Sequence, residues 1–276
     1  VSDDYKPVLR PGSDPLVFFQ YPGSHEGGDV AKGHVMAAAL SHALKDGEVV
    51  VMGANSLLPM AAARLAQLTH APNLTMIAGA SGGVNTLVEP LVPSSGDYAN
   101  LIAEAVLSFN EVLMLQMGGG TDVFFAGGIQ IDQRGNCNLA FSGEPARPTL
   151  RGPGSAGLPW AQLSRRTILY TTSHNRRIFV PKVNFVSLPG WPQEMKPWLT
   201  GPDLVVTPLA VMDFSPEGNM RLVSLHTGVT VEQVADNTGF DLILPEGRVP
   251  ATPGPSPEEL QIMRQLDVDG LLTIVV

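Results

Sequence analysis

The sequence predicts an α/β chain, on three observations. Residues 48–52 (EVVVM) carry an uninterrupted apolar run from Val49 to Met52, the pattern of a strand buried on both faces of a parallel sheet. Segments of helical periodicity flank it, 30–45 before and an alanine-rich 57–69 after, so the local order is helix, strand, loop, helix. The 276 residues, 44% of them hydrophobic, are enough for one large α/β domain or two small ones.

Each element follows from local chemistry. Residues 1–29 read as an irregular N-terminal extension, punctuated by Pro7, Pro11, Pro15 and Pro22; 30–276 form the α/β domain. His25 and Glu26 are adjacent in SHEGGD, so they would diverge in a regular element and suit a solvated loop. The helix over 30–45 ends at Gly47. After strand 48–52, the loop Gly53, Ala54, Asn55, Ser56 sits at the carboxyl edge of the sheet, where α/β proteins bind ligands. It lacks G-x-G-x-x-G, so no dinucleotide site is indicated. Strand 74–78 runs straight into Gly79, Ala80, Ser81, Gly82 and Gly83, either a backbone nest for an anion or a tight turn. Ser81 could be a nucleophile, but no Ser-His-Asp order supports it.

A helix is expected over 98–109, with Asp97 favourable at its start, and a strand over 112–116. Residues 118–142 read as strand 123–126, a Gly127-Gly128 break, a second strand through Ile129 and Ile131, a turn over 133–136 and a return strand from Leu139. The paired glycines let a ligand approach the backbone, or simply allow packing. A third glycine-rich loop spans 151–157, and strands are expected over 167–171, 178–180 and 183–186. Between them, His174, Arg176 and Arg177 form a basic spot that could meet an anion, or a solvated turn. A Pro/Trp-rich loop follows over 189–202, then strands over 204–211 and 220–225. Thr230 with Gln233 spells a capping box, and Ser256 followed by Pro257 opens a last helix. The apolar tail 271–276 suits docking on the domain or on another subunit.

Composition excludes several classes. The net charge of −9 and the lack of a basic run argue against nucleic-acid binding. The single Cys137 allows no internal disulfide, fits a reducing cytoplasm and reads as a buried structural thiol. No signal-peptide pattern is seen, and no apolar run nears the roughly 18 residues needed to span a bilayer. A cytoplasmic protein with no membrane association is expected.

The stretch TDVFFAGGIQIDQRGNCN resembles a signature segment of class I CoA-transferase β subunits, the glutaconate CoA-transferase-like group. Four further segments match the family's pattern in order: 53–72 ending LTHAPN, the GPGSAG loop at 152–157, RRIFVPKVNFV at 176–186, and SLHTGVTVEQVADNTGF at 224–240. The resemblance covers about 33–267. It implies an open, mainly parallel sheet flanked by helices, of the CoA-transferase/NagB-like kind. It also implies pairing with an α subunit of the same fold, as a heterodimer or heterotetramer, with the active site between the two. The substrate would be a coenzyme A thioester, with no bound cofactor and no metal.

One departure decides the expected chemistry. The family's catalytic glutamate lies in an E-S-G motif; the aligned triplet here is Ala80-Ser81-Gly82, and alanine offers no nucleophile. The resemblance then implies hydrolytic C–C cleavage or decarboxylation of an acyl-CoA, helped by backbone groups that polarise the thioester carbonyl. Two alternatives stand beside it: transfer with a carboxylate from the partner, and a non-catalytic binding subunit. On the favoured reading Ser81 and Gln130 are the catalytic candidates. Asn55, Gly79, Ala80, Gly82, Gly83, Gly127 and Gly128 contact the substrate, while Asp132, Arg134 and Asn136 hold the turn.

Overall fold

The computed structural model describes residues 30–194 and 201–274. The predicted extension at 1–29, Trp198 and the last two residues lie outside the described residues.

Lys32–His42 forms helix α1, Val49–Met52 strand β1, Leu57–Leu68 α2 and Thr75–Ala78 β2. Gly83–Thr86 (β3) turns back antiparallel on β2, and Ala103–Val106 (β4) pairs antiparallel with β3 at the sheet's edge. Phe109–Met117 is α3 and Val123–Ala126 is β5. Two small hairpins follow, Gln130–Ile131 (β6) with Cys137–Asn138 (β7), and Phe141–Glu144 (β8) with Arg147–Arg151 (β9). Leu158–Ala161 (α4) leads into Arg166–Tyr170 (β10), and Leu204–Val206 (β11), Ala210–Phe214 (β12) and Met220–Leu225 (β13) complete the strands. Val231–Asn237 (α5), Pro257–Leu266 (α6) and Leu271–Ile274 (α7) close the described chain.

The main sheet has the order β13-β12-β11-β10-β5-β1-β2-β3-β4. Its centre, from β11 to β2, is parallel, and an antiparallel pair extends each end. Strand alternation builds two cores. Val50, Met52, Met76, Val123, Phe125 and Ile168 face a layer with α1, α2, α6 and α7. Val51, Ile77, Phe124, Ala126 and Leu169 face a layer with Leu158, Phe179 and Val234. Side chains at successive strand positions point to opposite faces, so a continuous apolar run feeds both layers.

Several expectations are corrected. Residues 112–116 are helical, not a strand: Ser108 accepts from Glu111 N while Glu111 returns to Ser108 N, a capping box that starts α3. Residues 98–109 are not one helix. Asp97 caps only a 3₁₀ turn, Tyr98–Leu101, and the chain then enters β4. The strands expected at 178–180 and 183–186 reduce to an isolated bridge from Phe179 to Ile131, because Pro181 has no N–H to offer a ladder. The run 204–211 splits into β11 and β12, where Thr207 Oγ1 accepts from Leu209 N and Ala210 N and reverses the chain. The predicted capping box at Thr230 is formed, and the predicted cap at Ser256 is completed by Glu259 into a second box.

Candidate active site

A cavity of about 730 Å³ opens at the carboxyl ends of β1, β5 and β10. Such edges collect ligands because loops leave the sheet there. The loop 53–56 after β1 supplies Asn55 and Ser56, the break after β5 supplies Gly127 and Gly128, and β10 supplies Tyr170. Residues 153–158 form the facing wall, and Leu271 and Ile274 of α7 close one side.

Tyr170 orders the loop. Its hydroxyl donates to Asn55 O (2.8 Å) and lies 3.3 Å from Ser56 Oγ. Burial pushes the phenol up to about 12, so it stays protonated in ordinary buffers. The loop is held from behind as well, by Ser95 N donating to Ala54 O (2.9 Å). Gly128 is needed for close packing, since a Cβ there would overlap Cys137 Sγ and Asn138 O. Cys137 itself is buried, as the sequence suggests, and burial with the Asp132 charge raises its thiol to about 12. An undissociated thiol is inert.

The site residues expected from sequence fall into two groups. Asn55, Gly127 and Gly128 line the cavity. Gly79, Ala80, Ser81, Gly82 and Gly83 do not; they make the tight β2–β3 turn beside it, and the segment 93–96 lies between. Pro93 of that segment touches the cavity, while Ser95 O accepts from Ser81 N (3.1 Å). Gly82 has φ +88°, and a Cβ on it would overlap the Leu107 carbonyl, so the turn reading accounts for its glycines. Ser81 Oγ is bonded within the turn, donating to Ala78 O (3.3 Å) and accepting from Gly83 N (3.5 Å).

Gln130 also lies outside the lining, 6% exposed. Its Oε1 accepts from Asn138 Nδ2 (2.7 Å) and Asn184 N (3.0 Å), and its Nε2 donates to Asn184 Oδ1 (2.8 Å). That amide braces the hairpin after Gly128. Asp132 accepts from Arg134 N, Asn136 N and Asn136 Nδ2, so these three residues do hold the turn. The basic spot disperses: His174 is buried between Thr207 and Thr238, and Arg176 donates to Asp236 O.

Sequence reasoning missed Tyr170, Leu158, Leu271 and Ile274. Tyr170 had a usable signal, as the last residue of a strand ending at the ligand-binding edge. Among the described residues no three His, Cys, Asp or Glu gather as a metal site would require. No described helix is long and apolar enough to cross a membrane.

A mainly parallel sheet with a glycine-rich, apolar cavity at its carboxyl edge is the ligand-binding arrangement of an open α/β protein. The coenzyme A transferase family model matches residues 34–237, and the chain belongs to that family. A 3-oxoadipate CoA-transferase subunit from Pseudomonas knackmussii is 33% identical over 243 residues, 84% of this chain and 92% of that one. The cholesterol ring-cleaving hydrolase IpdB subunit of Rhodococcus jostii is 32% identical over 244 residues, covering 86% and 92%. The crystal structure of the decarboxylase AibA/AibB superposes with a TM-score of 0.80 at 26% identity, covering 90% of this chain and 99% of the other.

Proposed function

We propose that this chain is the β-type subunit of a heteromeric enzyme that acts on an acyl-CoA thioester by hydrolytic C–C cleavage or decarboxylation rather than by CoA transfer. The observation that carries the proposal is Ala80, a methyl side chain where the family resemblance places the nucleophilic glutamate. Relatives named as a ring-cleaving hydrolase and a decarboxylase support it, since the same fold serves both in those proteins.

On this reading the thioester carbonyl lies against the backbone at Gly127 and Gly128, which polarises it as charge develops on oxygen. Tyr170 fixes the loop at Asn55 and Ser56 through its hydroxyl. Gln130 acts as a positioning residue for the glycine break, and Ala80 and Ser81 face the part of the site that the partner subunit closes. In the hydrolytic version, water adds across the C2–C3 bond of a 3-oxoacyl thioester: hydroxide goes to the C3 carbonyl carbon, and C2 takes a proton. In decarboxylation CO₂ leaves and a proton replaces it. A second reading, transfer through a carboxylate of the partner, is favoured by the relative named as a CoA-transferase subunit.

Mass spectrometry of the assembled enzyme separates these readings. It is incubated with dicarboxylic and 3-oxoacyl-CoAs in ¹⁸O-water, with and without acetate. A shortened thioester with ¹⁸O in the released acid, or loss of CO₂, is the expected result. With ¹³C-labelled acetate, labelled acetyl-CoA overturns the proposal in favour of transfer, while unlabelled acetyl-CoA is the hydrolytic product of an unbranched 3-oxoacyl-CoA; absence of all turnover leaves a binding subunit.

A further inference from the structure

We infer that the cavity takes an acyl group whose far end is apolar and uncharged, and that helix α7 sets how much of that group fits. The inference rests on the acyl-CoA reading above and names its substrate class.

The cavity wall is largely apolar. Leu57, Leu58, Phe124, Phe125, Leu271 and Ile274 supply much of it. The polar side chains present are Asn55, Ser56, Tyr170, Thr171 and Thr172; among the described lining residues there is no Arg, Lys, His, Asp or Glu. Three of these hydroxyls are already engaged: Tyr170 with Asn55 O and Ser56 Oγ, and Thr171 with Ser173 O. A terminal carboxylate seated here would give up its water without gaining a cation, whereas an alkyl or ring terminus gains contact at no such cost. The volume of about 730 Å³ is that of a cavity for a sizeable ligand, beyond what a two- or three-carbon acyl group fills.

Helix α7 is a fixed wall and not a loose tail. Asp267 Oδ1 accepts from Leu271 N (2.6 Å) and its Oδ2 from Leu272 N (2.8 Å). The Leu272 carbonyl packs on α1 at Gly33, where any Cβ would overlap it. Leu271 is buried, while Ile274, 57% exposed, stands at the open end of the wall. Position 274 is therefore where the length and polarity of the acyl terminus can be read without disturbing the core.

The test uses the assembled enzyme and one matched pair of substrates, 3-oxooctanoyl-CoA and 3-oxosuberyl-CoA, equal in carbon count and differing by the terminal carboxylate. The expected kcat/KM favours 3-oxooctanoyl-CoA by about tenfold or more, because the carboxylate gives up its hydration without gaining a partner. Ile274→Arg, a change at a half-exposed position, should shift that ratio towards 3-oxosuberyl-CoA by a similar factor, mainly through KM. Equal or better use of 3-oxosuberyl-CoA by the wild type, or an unchanged ratio in Ile274→Arg, overturns the inference. If neither thioester is turned over, the proposed reaction fails by itself. The Kd values of the two thioesters by calorimetry then decide the cavity: preference for 3-oxooctanoyl-CoA upholds the inference, and equal or reversed affinity overturns it.

Discussion

His174 shows how a single side chain departs from its sequence context. Two arginines follow it closely, but its ring is buried, stacked on Phe179 with centroids 4.2 Å apart, between Thr207 Oγ1 (2.9 Å) and Thr238 Oγ1 (3.0 Å). Burial lowers its pKa from the ordinary 6.5 to about 4. The unfolded chain therefore takes up the proton first. The stability this neutral ring contributes is complete above about pH 6.5 and is lost as pH falls towards 4, by up to about 1.4 kcal/mol per pH unit. His226, lowered mainly by burial, adds in the same direction. Urea unfolding at pH 7 and pH 5 should show a marked loss for the wild type and a smaller one for His174→Gln, which keeps polar contacts without titrating. An equal loss in both would refute this account of His174. Its partners lie 33 and 64 positions away in the chain, so local reading could not find them. The caps at Thr230 and Ser256 were readable because both partners sit within three residues. Gln130 falls between these cases. Its motif singles it out, yet its contacts at Asn138 and Asn184 emerge only once the hairpin folds.

Among the elements, those with strong local signals formed where expected: α1, α2, β1, β2, β5 and α6. The failures share a cause. Short apolar runs such as 112–116 fit helix and strand equally, and the Ser108–Glu111 capping box decided for helix. Residues 103–106 became a strand by pairing with β3, which periodicity does not reveal. Helix α7 is the consequential case. Its tail is recognisably apolar, but its role as a cavity wall depends on the Asp267 carboxylate, which lies four and five residues before the amides it binds. Replacing Asp267 with Ala removes both acceptors and should cost about 1–3 kcal/mol locally. Hydrogen exchange should then quicken at Leu271 and Leu272 while β1 and β5 keep their protection. Unchanged exchange at those two amides would show that α7 is held by packing alone.

Seen whole, the molecule is a sheet with a parallel centre whose carboxyl edge carries the cavity, lined there by Asn55, Gly127 and Tyr170 at the ends of three adjacent strands. That much was legible in the sequence: the β-loop-α order placed the first loop, and the glycine break after 123–126 placed the second. The antiparallel wings and the division between the cavity and the 79–83 turn were not, because both depend on which strands pair. On the proposed reading Ala80 decides the chemistry: without a carboxylate there, this chain would carry no covalent CoA during turnover. The direct measurement is the intact mass of both subunits, acid-quenched after the assembled enzyme meets an acyl-CoA. The account predicts unchanged masses for the wild type and a CoA adduct on this chain in Ala80→Glu. A CoA adduct on either wild-type subunit would contradict it.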